Sequence, residues 1–342
     1  SQGNVIAPAQ IVDKFGADVL RMWVSCVDYT DDVRLSPAIV EQVSDSYSKI
    51  RNTLRFLLGN LADFDPAKDA VPFAKMGDID HWALSELEIL IRECEKAYEA
   101  FEFYRVYRLV YQFCVVRMSS FYLDMLKDRL YTLHAADPVR RSSQTALWEI
   151  LKAVTLAVSP ILPFTAEEAW QLLREKQSGL CASVHLASWP AIPESYANYD
   201  DGGKWPRLLE GREEVLKILE TFRQEKKIGS GLEASVSLYA DDAALASILS
   251  DCVKDLPGVF IVSQVEIVRD KNRADSFARS AIMPALWIGV QKAHGSKCER
   301  CWVYSPFVGT HAAHPALCEK CVGVMKKLVR QDDSIAGGTR HE

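Results

Sequence analysis

No apolar run in this 342-residue chain approaches the roughly 18 residues that a membrane helix needs. Nor is there a charged stretch followed by an apolar leader at the start, so neither a membrane span nor a secretory signal is expected. No internal repeat is visible. An excess of basic charge is missing too. Lys and Arg number 40 against 46 Asp and Glu, a formal net charge of −6, so any contact with nucleic acid has to come from local patches on an acidic body. Five cysteines, Cys26, Cys94, Cys114, Cys181 and Cys252, stand singly and are odd in number, which fits a reducing compartment and makes the cytoplasm the expected location. Even an initial methionine is lacking, and Ser1-Gln2-Gly3-Asn4 reads as the middle of a longer chain.

What is present begins with the other four cysteines. Cys298, Cys301, Cys318 and Cys321 form a Cys-x2-Cys-x16-Cys-x2-Cys array, in which each pair can put two thiolates on one tetrahedral ion. Two disulfides are the alternative, but the spacing suits a Zn–S shell of about 2.3 Å better. Four thiolates leave no open coordination position, so one zinc per chain is expected, in a structural role. Around the ligands lie Lys292, Lys297, Arg300, Lys320, Lys326, Lys327 and Arg330 against Glu299 and Glu319, with Trp302 directly after the second cysteine. Cations beside an aromatic plate suit a nucleic-acid backbone and an unstacked base. The same residues also suit a solvated charged face with Trp302 plugging a small core, and the ribbon alone leaves both readings open.

Length predicts two or three domains, and 49% hydrophobic with 25% charged residues is ordinary for a globular protein. From Val40 the positions Val43, Tyr47, Ile50, Leu54, Leu57, Leu58 and Leu61 step by three and four, predicting a long amphipathic helix opened by Ser36-Pro37. Further helices are predicted over about 79–103, 104–130 and 142–158, with a fifth from Pro163, capped by Thr165-Ala166-Glu167-Glu168, through Leu173. An antiparallel helix bundle follows. Pro190, Pro193, Asn198, Asp200, Asp201, Gly202 and Gly203 mark a linker. Beyond it a helix over 207–227, strands over 232–238, 259–268 and 285–290, and a short helix capped by Asp241-Asp242 make a small α+β module that leads into the zinc ribbon. The tail from Gln331 shows no periodicity and is expected to be disordered.

Several stretches resemble one family. Gly3-Asn4-Val5-Ile6 with Pro8 is similar to the segment closing the KMSKS loop of class I aminoacyl-tRNA synthetases, and Gly16-Ala17-Asp18-Val19-Leu20-Arg21-Met22-Trp23 continues the likeness. So do Asp32-Val33-Arg34, the run from Lys49 to Leu61, Phe121-Tyr122-Leu123-Asp124, Lys127-Asp128-Arg129-Leu130-Tyr131 and the run from Leu162 to Trp170. Cys298-Glu299-Arg300-Cys301-Trp302 resembles the terminal zinc module of the bacterial isoleucine enzymes. The likeness covers nearly the whole chain, in order.

The resemblance implies a fold that is mainly α. Residues 1–35 would follow the KMSKS loop, 36–190 would form an anticodon-binding helix bundle, 191–206 a linker, 207–292 the α+β domain, 293–330 the zinc module and 331–342 the tail. It implies tRNA for isoleucine as partner, and neither DNA nor a membrane, with the chain a monomer. ATP and Mg would belong to a catalytic domain that this sequence does not contain, leaving Ser1 as a remnant of the ATP loop and the fragment catalytically silent. Trp302, Arg300, Lys297, Lys320, Arg51, Arg55 and Asn52 are the candidate tRNA contacts, with Arg105, Arg108 and Arg117 as another possible line. Any of these arginines also suits a salt-bridged surface, and Asn52 suits simple polar exposure. Asp124, Lys127, Asp128 and Arg129 read as an ion-pair network inside the bundle. Another class I synthetase, a DNA-repair glycosylase with a four-cysteine finger and a free-standing RNA-binding module are the competing readings.

Overall fold

The computed structural model describes residues 7–30, 32–199 and 201–337, with side chains as far as Leu328. Ser1 and the segment closing the KMSKS-like loop lie outside the described residues. The chain divides into two units. The first runs to Asp124 and takes in Ala135–Tyr199; the second joins Met125–His134 to the residues from Asp200 onward.

The first unit is helical. Ser36 caps the Pro37–Gly59 helix by accepting from the Ile39 amide at 3.3 Å, with Pro37 in the first turn where no amide is needed. Its Val40, Val43, Ile50, Leu54 and Leu57 are buried, the stripe read from sequence. Asp137 and Pro138 open the Pro138–Val158 helix in the same way. The predicted helix over 104–130 is broken into three windings: Phe103–Tyr111 is α, Gln112–Tyr122 is a π-helix and Leu123–Thr132 is α again. Phe113, Met118 and Tyr122, all buried, follow one another at five and four residues, a wider repeat that keeps them on one face only if the turn itself widens.

The fifth helix, Pro163–Lys176, has no side-chain cap of its own, against the expectation of a local one. Its first turn is capped from far away. Asp18, on the Ala17–Cys26 helix, accepts from the Thr165 amide at 2.8 Å and its hydroxyl at 2.6 Å. One turn later Arg21 donates to the carbonyls of Pro160 and Ile161 at 2.6 and 3.2 Å. The short Ala17–Cys26 helix thus satisfies orphan groups on both sides of the turn between two long helices.

In the second unit four strands order as Gln264–Ile267, Ala234–Ala240, Leu286–Lys292 and Ala278–Arg279, the first pair parallel and the others antiparallel. Val236 faces Val265 on one side and Val290 on the other. The strand expected over 259–268 is shorter than read: Leu256–Phe260 is helical, with Pro257 in its first turn, and only Gln264–Ile267 pairs. The last helix runs Glu319–Gly337, so the expected disordered tail is helical from Gln331 to Gly337; no proline interrupts it, and residues 338–342 lie outside those described.

The Lys204–Gln224 helix carries a buried carboxylate. Glu214 pairs with Lys217 at 2.6 Å and accepts from the Ser280 hydroxyl and the Ala281 amide, each at 2.8 Å. The Lys217 contact first, then these donors, hold the carboxyl down at about 2 against burial. Because the folded state holds the lower pKa, this stabilisation is complete above the ordinary Glu range near 4.5 and is lost as pH falls towards 2. Glu214→Gln is expected to cost about 1–3 kcal/mol at neutral pH and to flatten the dependence between pH 5 and 2, read by urea melts across that range.

Candidate metal centre and nucleic-acid interface

Two short strands, Ser296–Lys297 and Tyr304–Ser305, pair antiparallel and carry the first two cysteines on the turn between them. The Cys298 amide donates to the Val303 carbonyl and the Trp302 amide to the Cys298 carbonyl, both at 2.9 Å. Gly295 enters this hairpin at φ 91°, and a Cβ there would fall 2.2 Å from the Ser305 carbonyl carbon, so only glycine fits. Cys318 and Cys321 arrive at the start of the last helix. All four sulfurs lie within 4.8 Å of one another, and Cys301 Sγ and Cys318 Sγ are 3.6 Å apart. Tetrahedral zinc with Zn–S bonds of about 2.3 Å needs sulfurs about 3.8 Å apart, so the donor set fits. None of the nine cysteines is in a disulfide.

The four sulfurs divide in two: hydrogen bonds with the Cys318 and Cys321 sulfurs push the Cys301 thiol well above its ordinary value and Cys321 is raised to about 11, while Cys298 and Cys318 are held below theirs. Burial would raise the Cys298 thiol, but the amides of Cys301, Cys318 and Arg300 aimed at it outweigh that and hold it below its ordinary value. Cys318 is held far lower by its hydrogen bonds with the Cys301 and Cys321 thiols.

Trp302 is 60% exposed at φ 65°, so it does not fill the interior of the module. Lys297 Nζ lies 5.4 Å from its ring centroid, a cation–π contact that leaves the ammonium near the plate. The other two candidates are engaged. Arg300 donates to the Thr132 carbonyl and Lys320 pairs with Asp128, which moves Asp128 out of the expected bundle network and onto the zinc module. Arg129 likewise reaches Asp255 at 3.8 Å. Sequence could not join these residues, which are more than a hundred positions apart.

In the first unit Arg51, Asn52 and Arg55 line two adjoining depressions between the Pro37–Gly59 and Pro163–Lys176 helices. Arg51 pairs with Glu168 at 3.2 Å; Asn52 and Arg55 are exposed, with no partner among the described residues. Phe164, 68% exposed on the same rim, went unnoticed in the sequence. The signal was available, because the buried positions Ala166, Ala169, Trp170 and Leu173 form a stripe that excludes 164. The second line of arginines is taken up internally: Arg105 by Glu93 and Glu102, Arg117 by Glu86, and Arg108 over the Tyr104 ring.

Residues 80–238 match the anticodon-binding domain of tRNA ligases, and residues 295–323 match the zinc finger found in FPG and IleRS. Together they define the class as a tRNA-ligase region with a terminal zinc module. The isoleucine–tRNA ligase of Syntrophotalea carbinolica is 46% identical over 325 residues, covering 95% of this chain and 34% of that protein. Those of Caldanaerobacter subterraneus subsp. tengcongensis and Geobacter sulfurreducens are 44% and 41% identical, over 91% and 95% of this chain. The chain therefore belongs to the isoleucine–tRNA ligase family, matching the C-terminal third of these relatives and spanning about a third of their length. A solved ternary complex of Agrobacterium radiobacter K84 LeuRS with tRNA is similar at a TM-score of 0.42 and 16% identity, over 81% of this chain and 29% of that one.

Proposed function

We propose that this chain is the part of an isoleucine–tRNA ligase that grips tRNA for isoleucine at its anticodon stem-loop, with one structural zinc holding the terminal module. The observation that carries the proposal is Trp302. A bulky residue at positive φ costs of order 1 kcal/mol or more, and here that conformation turns a large ring out into solvent beside Lys297 instead of into a core. Such a plate serves an unstacked base, and the loop of a tRNA is where bases are unstacked. Asn52 and Arg55 on the first unit offer a base-edge donor and a phosphate contact. Isoleucine and valine differ by one methylene, worth only about 1–3 kcal/mol in a pocket, so the whole enzyme gains from tight tRNA positioning alongside editing.

Joining isoleucine to tRNA with ATP and Mg would be the work of a catalytic domain outside this sequence. The five cysteines outside the zinc set are in no disulfide, which supports action in the cytoplasm, and the chain acts as a monomer in this reading. The purified chain is expected to bind tRNA with steep salt dependence and to catalyse no isoleucine-dependent pyrophosphate exchange. Trp302→Ala should keep its zinc and its melting temperature while weakening tRNA binding by about 1–3 kcal/mol at fixed salt. Unchanged affinity in a folded, zinc-loaded variant would remove the stacking role.

A further inference from the structure

The hydrogen bond from Arg300 to the Thr132 carbonyl brings the zinc knuckle against the last turn of the Leu123–Thr132 helix, and Lys320 fixes the same contact through Asp128. All of these residues belong to the second unit. Beside Thr132 on that turn stands Tyr131, 58% exposed and without a partner among the described residues. Two residues beyond Arg300 stands Trp302, equally exposed. Each side of the clamp thus carries one exposed aromatic within two residues of its contact.

The negative groups at the contact itself are covered. A helix C-terminus and an aspartate would both repel phosphate, but Arg300 covers the carbonyl and Lys320 covers Asp128. Lys297 remains exposed above the Trp302 ring.

We propose that Tyr131 is a second stacking plate, which with Trp302 receives unpaired bases of one RNA loop. The proposal rests on the tRNA reading above and adds a residue to it. Stacking on aromatic side chains is tolerant of base identity and needs strands that are not already paired.

The test uses the full 342-residue chain, zinc-loaded, with a synthetic RNA stem-loop and the continuous duplex of the same stem as probes. Wild type should prefer the stem-loop. Tyr131→Ala should weaken stem-loop binding by about five- to a hundred-fold at fixed salt and leave duplex binding, zinc content and melting temperature unchanged. Tyr131→Phe should bind as wild type, and Tyr131→Leu, which keeps bulk without a π-face, should bind as the alanine variant. If wild type shows no preference for the stem-loop, the tRNA reading falls and this proposal with it. If wild type prefers the stem-loop and Trp302→Ala weakens it while Tyr131→Ala and Tyr131→Leu do not, only the second plate is overturned.

Discussion

Cys298→Ser is expected to lose its zinc and to unfold the terminal module while the helical unit and the four-stranded sheet stay intact. The reason lies in what that module has for a core. Its buried cluster is Cys298, Cys318 and Cys321 themselves, with Val308 and Leu317 packed alongside. Remove the ion and what is left at the centre is four sulfurs within 4.8 Å of one another, in place of a packed apolar interior. Apparent binding free energies of structural zinc run to about 10–16 kcal/mol, far more than so few apolar contacts supply. Metal analysis should fall from one zinc per chain towards none. NMR signals of the Ser296–Lys297 and Tyr304–Ser305 hairpin should collapse to random-coil positions as those of Ala234–Ala240 keep their dispersion. Full zinc retention, or loss of the whole fold at once, would contradict the account.

Asp80→Ala should cost the first unit about 3–5 kcal/mol. Asp80 is 0% exposed and accepts from the hydroxyls of Tyr122, Ser142 and Ser143 at 2.7, 2.6 and 3.1 Å. These donors come from the π-helical segment and from the Pro138–Val158 helix, so one carboxylate ties three elements together. Alanine leaves every hydroxyl buried without this acceptor, at about 1–3 kcal/mol for each that finds no substitute. Asp80→Asn keeps an acceptor oxygen and should lose less. Urea denaturation of both variants at constant zinc decides the matter, and a loss below about 1 kcal/mol for alanine would show that the network is dispensable.

The metal site could be read from the sequence because its information is local: each cysteine pair is fixed by a short turn, and only the closing of one loop had to be inferred. The Pro37–Gly59 helix was legible for the same reason, its stripe and its Ser36-Pro37 opening both lying within a few turns. Asp18 and Asp128 were not. Asp18 stood out only as part of a family-like run and Asp128 read as a member of a local ion-pair network, yet each acts on a partner 147 or 192 positions away. The strand expected over 259–268 failed because a short apolar run carries no period that separates strand from helix, and Pro257 decided for helix. Winding at the 112–122 segment was hidden by aromatics, which satisfy either spacing until their partners across the bundle are known.

The bracket formed by Asp18 and Arg21 sets a schedule for synthesis. Arg21 and its Pro160 acceptor are 139 residues apart in the chain. At about 5–20 residues per second, a ribosome delivers the acceptor roughly 7–28 s after the guanidinium. Val19 and Met22, each 1% exposed in the finished structure, depend on packing that later helices bring. The Pro37–Gly59 and Phe103–Tyr111 helices reach that face earlier, so what waits for the whole interval is the closing turn at Pro160 and Ile161.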